Sequence, residues 1–183
     1  MYELPTSLEV CGVSYEIRSD YRVALDICAA LSDPEIDDQE RALVALTILY
    51  PDILQMPHEH YEEAIRKCFW FISCGDEGQN HAKEHKLVDW NQDFRFIVAP
   101  INRVCGCEIR ELPYMHWWTF IAAYYEIGGD CTFSQIVRIR EKLAKGKTLD
   151  KSDREWYRSN RHLVDFKTEY TTQENELCKL WGV

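Results

Sequence analysis

The sequence predicts a mainly α-helical fold, a helical bundle that carries one short β-hairpin at its N-terminus. Two observations carry this. Apolar residues recur with helical spacing over most of the chain, and they switch to strict alternation only around Gly12. A third supports it: Pro and Gly fall at the borders of the periodic runs, where helices end.

Taken in order, Leu8 and Val10, then Val13, Tyr15 and Ile17, alternate with polar residues on either side of Gly12 and read as a hairpin. Ser19 or Asp20 can cap a first helix with Tyr21, Ala24, Leu25, Cys28 and Leu31 on one face, ended by Asp33-Pro34. A second helix starts near Asp37 or Asp38, which suit the positive end of the macrodipole, and turns Ala42, Leu43, Leu46 and Leu49 inward before Tyr50-Pro51. After Pro57, Tyr61, Ala64, Ile65, Cys68, Phe69 and Ile72 give the cleanest helical stripe in the chain.

Residues 73–89 are polar, contain Gly75 and Gly78 and lack apolar periodicity, so they read as a linker. Beyond it Trp90, Phe94, Ile97, Ile101 and Val104 share a helical face, with Pro100 expected to kink that helix or end it early. Pro113 suits the first turn of a helix running to Gly128-Gly129, apolar nearly all round, and therefore central or half-buried in a partner. Phe133, Ile136, Val137, Arg140 and Leu143 form a further helix stopped at Gly146. A last one from about Ser152 carries Trp156, Tyr157, Leu163 and Val164. The expected organisation is a single domain, 1–183, with an N-terminal subregion 1–72, the linker 73–89 and a C-terminal helical subregion 90–183.

Composition narrows the functional classes. An apolar fraction of 46% with 6 Trp, 10 Tyr and 7 Phe is too rich for a disordered chain. Residues 1–19 have no basic segment followed by an apolar core, so a signal peptide is not expected. The longest apolar run, Met115 to Ile127, is too short for a membrane span and is interrupted by His116 and Glu126. The expected location is a cytoplasm, where the 8 Cys are read as free thiols. The net charge of −10 is unevenly spread: Met1 to Glu63 carries 14 acids against 3 bases, and Arg138 to Lys167 carries 10 bases against 5 acids. These ends are complementary and could meet within one chain or join copies; equally, they could be two solvated faces, and the sequence does not choose.

No motif for catalysis stands out. There is no nucleophile elbow, phosphate-cradling glycine loop or H-E-x-x-H, so no enzyme is expected. Cys68, Cys74, His81, His85, Cys105 and Cys107 are potential zinc ligands by type, but no C-x-x-C is present and their spacing matches no common finger, so neither metal nor other cofactor is expected. His58-Glu59-His60 cannot chelate from one helical face and is read as exposed N-terminal capping residues. The basic aromatic C-terminal region could stack on nucleic acid, but the acidic N-terminal half opposes that. His116-Trp117-Trp118 is the most unusual local feature. Successive helical positions point apart, so one indole would anchor the core and the other could reach a neighbouring helix or a partner. Candidate partner-binding residues are His116, Trp117, Trp118, Phe120, Tyr124 and Tyr125, because aromatic side chains supply contact area at low entropic cost.

The stretch ELPYMHWWTF, ending at Phe120, resembles the signature of a siphophage family named after gene product fifteen. Asp20-Tyr21-Arg22 behind Ile17, Asp93 through Ile97, Glu108-Ile109, Ile139-Arg140 and Lys145-Gly146-Lys147 resemble its further features in the same order. Pro100 and Glu108 depart from the pattern, which would have an unbroken helix and an Asp there. The resemblance implies a protein encoded among phage or prophage tail genes, without catalytic residues. It would be similar to tail assembly chaperones acting between the major tail protein and the tape-measure protein, or alternatively a subunit retained in the virion.

Overall fold

A computed structural model describes residues 3–76 and 85–167; the 77–84 part of the 73–89 segment, His81 included, lies outside the described residues. Helices dominate, eight of them α-helical among the described residues, and the only β-sheet there is a two-stranded hairpin. The described residues fall into two compact units, 3–76 with 114–119, and 85–113 with 120–167.

In the first unit, strands β1 (Ser7–Val10) and β2 (Val13–Glu16) pair antiparallel, with Val10 opposite Val13. Cys11 and Gly12 between them both have positive φ, the conformation a two-residue hairpin turn needs to match the strand twist. Leu8 and Val10 point into the core. Helix α1 (Tyr21–Leu31) is capped by Asp20, whose carboxylate accepts from the Arg22 amide; it buries Tyr21, Ala24 and Ile27, while Leu25, Cys28 and Leu31 are only half-buried. Helix α2 (Asp38–Leu49) opens with a capping box between Asp37 and Glu40 and buries Ala45, Leu46 and Leu49. Leu43, expected inside, is 51% exposed: the helix is apolar on nearly every side from Ala42 onward, so periodicity could not choose the face. Helix α3 (Tyr61–Ile72) has the expected bounds and buries Ala64, Cys68 and Phe71, leaving Phe69 outside. His58–His60 form a 3-10 turn before it without capping it through a side chain; His60 Nδ1 instead meets the Tyr15 hydroxyl at 2.9 Å.

The predicted helix from Pro113 to Ile127 is shorter than expected. Helix α5 in chain order runs only Trp117–Tyr125, because the residues ahead of it are extended and pair with the start of α1. The Tyr21 amide donates to the Met115 carbonyl at 2.9 Å and the Trp117 amide to the Ser19 carbonyl at 2.8 Å, while Met115 N donates to Asp20. A helical 113–116 would forfeit all three bonds.

In the second unit, α4 (Trp90–Cys105) is capped by Asp89 and ends at Gly106 in the left-handed conformation. Pro100 neither ends this helix early nor breaks it. It is buried with Ile97, Val98 and Ile101, whose packing offsets the backbone hydrogen bond that proline cannot donate. Helix α6 (Thr132–Ala144) buries Phe133, Ile136, Ile139 and Arg140, while Leu143, expected on the same face, is exposed. It closes with a Gly146 turn in which the Lys147 amide reaches the Lys142 carbonyl at 2.8 Å and the Gly146 amide the Leu143 carbonyl. The expected last helix is two, α7 (Lys151–Ser159) and α8 (Arg161–Val164), divided at Asn160, whose side-chain amide donates to the Trp156 carbonyl. No helix of the described residues is long and apolar enough to cross a membrane.

Candidate functional site

The sequence singled out six residues around the tandem tryptophans, and they divide between the units: His116, Trp117 and Trp118 belong to the first, Phe120, Tyr124 and Tyr125 to the second.

The first three are committed to internal bonds. Trp117 is 2% exposed and its indole N–H donates to the Ile72 carbonyl at 2.9 Å; Trp118, half-buried, donates its own to the Phe71 carbonyl at 2.9 Å. The two neighbouring indoles thus donate to the last two carbonyls of α3, of which Phe71 also accepts from the Cys74 amide at 3.1 Å. Trp118 also packs edge-on against Trp70 and stacks with Phe71. The buried His116 imidazole faces two backbone groups: the Trp118 amide lies 3.0 Å from Nδ1, and the Pro5 carbonyl 2.9 Å from Nε2. An amide N–H can only donate, so Nδ1 is the acceptor and Nε2 carries the proton given to Pro5, which fixes a neutral tautomer. Nothing in the sequence pattern signalled that this histidine holds the chain near Pro5 and opens α5.

In the second unit, Phe120 is fully buried and packs against Trp90. Tyr124 lies between Trp90 and Phe133, and burial pushes its phenol up to about 12. Only Tyr125, 77% exposed, presents most of its surface to solvent.

A second constellation, which periodicity did not reveal, is built on Asp93 and Arg140. Both are buried, and the guanidinium donates to both Asp93 oxygens at 2.5 and 3.0 Å. Its remaining donors go to the carbonyls of Leu87, Leu163 and Val164, and Phe166 lies over its face, 4.1 Å from the ring centre. All five N–H groups are therefore used. A cavity of about 290 Å³ opens beside Phe166 and Leu143, but Arg140 has no donor left to offer a ligand there. The signal in the sequence was a lone arginine on an otherwise apolar helical face, which demands a buried acid.

The thiols offer no nucleophile in the core. Burial pushes Cys28 up to about 11 and Cys68 up to about 12, so both stay protonated at neutral pH. All cysteines of the described residues are free, and no group of three or more His, Cys, Asp or Glu converges there to hold a metal ion.

These motifs meet in pairs: Asp20-Tyr21-Arg22 with Met115-His116, and Asp93 with Arg140 above the buried Ile97 and Ile139. Glu108 accepts from Asn102 and Arg110 while Ile109 sits in the core, and the Lys145-Gly146-Lys147 turn closes α6. The class they define is a helical protein with an N-terminal hairpin in which the signature residues are architectural. The family model described as Bacteriophage Gp15 protein matches residues 1–166, and the chain belongs to that family: it is a bacteriophage protein. No curated protein and no solved structure matches it.

Proposed function

We propose that this phage protein acts in tail morphogenesis as a non-catalytic assembly chaperone, holding the tape-measure protein, the major tail protein or both in the host cytoplasm. One observation carries this beyond the family resemblance. The signature side chains are spent on internal hydrogen bonds and packing, while large apolar side chains outside the signature stay exposed, among them Leu43, Leu54 and Phe69 in the first unit and Tyr125 in the second. A chaperone needs exposed apolar surface to hold an aggregation-prone helix, and an enzyme needs convergent titratable groups instead. Binding therefore falls to those outward side chains, with Tyr125 the member of the six sequence-selected residues best placed to take part.

Mass spectrometry of purified mature particles tests the transient role: the chain is expected in lysates of assembling phage and absent from finished tails. Abundant peptides from it in mature tails would make it a virion subunit instead. Co-expression with the tape-measure protein, followed by affinity capture, should yield a complex that Tyr125→Ala weakens without lowering the melting temperature.

A further inference from the structure

The outward side of α2 is unusual for a helix with a buried opposite face. Leu43 is 51% exposed and Val44 37% exposed, and Leu54, in the 3-10 turn that follows (Ile53–Gln55), is 96% exposed. Residues 32–62 expose seven acidic side chains and no Lys or Arg; Arg41 is spent on the Asp33 carbonyl and on Asp38, and of the bases that adjoin the stretch Arg18 donates to the Thr47 and Ile48 carbonyls and Arg66 is paired with Glu62. Uncovered leucines in a predominantly acidic stretch describe a docking surface for a cationic partner.

The chain carries such a surface itself. Between residues 138 and 162, seven Lys and Arg side chains are exposed against two exposed acids, Asp150 and Glu155. Arg138, Lys145 and Arg161 are paired with Asp153, Glu141 and Asp165, which leaves Lys147, Lys151, Arg154 and Arg158, and Leu143 is exposed with Trp156 half-buried among them. We infer that copies of this protein associate head to tail, the acidic, leucine-bearing α2 surface of one copy seating on the basic α6–α8 surface of the next. The inference does not depend on the tail-assembly reading. Because each copy carries both surfaces, two copies can satisfy each other reciprocally about a two-fold axis or add one to the next, and the mass of the assembly distinguishes the two.

The test uses the full chain in analytical ultracentrifugation over a concentration series. The weight-average mass should climb above that of a monomer and fall back when salt is raised from about 0.1 M to about 1 M, over which the screening length shrinks from about 10 Å to about 3 Å. Asp52→Lys with Glu59→Lys should weaken association by about tenfold or more, as should Lys147→Glu with Lys151→Glu, and the four changes together, which leave the net charge unaltered, should restore it. Leu43→Ser with Leu54→Ser should weaken it at every salt concentration. A chain that stays monomeric at all concentrations overturns the inference. So does association that ignores the charge reversals or is not recovered by the fourfold exchange. Circular dichroism of each variant confirms the fold, and the concentration and salt series on the unaltered chain stands without any variant.

Discussion

In the first unit the last two carbonyls of α3 accept from two neutral indole N–H groups, whereas in the second the last two carbonyls of α8 accept from a guanidinium whose charge Asp93 balances. The problem is the same, carbonyls at a helix C-terminus, and the two answers fail differently. Removing an indole donor strands a dipole. Removing the guanidinium strands dipoles and a buried carboxylate together, and an uncompensated buried charge is much the costlier.

The largest expected effect follows. Arg140→Met should cost about 3–5 kcal/mol in chemical denaturation, because Asp93 is left buried without its partner. Asp93→Leu combined with Arg140→Met should recover part of that loss, but not all, since the carbonyls of Leu87 and Val164 lose the guanidinium and Leu163 keeps only the longer bond from Gln92 at 3.4 Å. A cost under about 1 kcal/mol for Arg140→Met would mean that the ion pair does not hold the second unit.

Trp117→Phe should be next, about 1–3 kcal/mol, since it orphans the Ile72 carbonyl in the core and leaves a small void. Trp118→Phe should cost about 1 kcal/mol or less, because water can reach its half-buried site and replace the lost donor at Phe71. Equal costs for the two would contradict the division of roles drawn from their burial.

Acid should separate the units further. In the second unit the Arg110 guanidinium holds Glu108 down at about 2, Lys142 holds Asp153 below the usual carboxylate range, and Lys145 does the same for Glu141. Burial raises Asp89 and Asp165, but Lys86 and Tyr157 respectively head the hydrogen bonds that outweigh it and leave both carboxyls low. In the first unit the Cys11 thiol and amide hold Glu63 below the usual carboxylate range. A carboxylate depressed in the folded state contributes stability that is complete above its unfolded value, about 4, and is lost as pH falls through the folded value. Between about pH 4 and about pH 2 the second unit should therefore loosen first, read as earlier pepsin cleavage within residues 85–113 and 120–167. Earlier cleavage within 3–76 would reverse the comparison.

The smallest effect concerns thiols and needs no substitution. Exposed Cys107 should react with a maleimide within minutes at neutral pH, while Cys68, buried and held protonated, should label only on unfolding.

What the sequence revealed was local. The hairpin followed from alternation about Gly12, and α3 from its stripe, because each signal sits within a dozen residues. What it hid was non-local. The backbone of Met115 and His116 pairs with residues some 95 positions earlier, which no helical periodicity could announce, so α5 was read four residues too long at its start. Asp93 and Arg140 lie 47 residues apart, and a buried arginine tells only that an acid must exist, not which. In α2, apolar residues on both sides erased the distinction between core face and surface, and the outward leucine was misread as core. The six candidate residues divide between the two units, and the sequence could not separate the indoles that bond to α3 from the exposed Tyr125.

The tandem tryptophans arrive late. Their donors lie 45 and 47 residues after the carbonyls they satisfy, and the whole of α4 is made in between. On a ribosome adding about 5–20 residues per second, the Ile72 carbonyl therefore waits several seconds for its indole donor, and the first unit cannot finish until Trp118 has left the exit tunnel. A nascent chain stalled before Trp117 would hold the hairpin and three helices, with the backbone turn after α3 already made but neither indole bond in place. The order of synthesis places the second unit's first helix ahead of the first unit's completion.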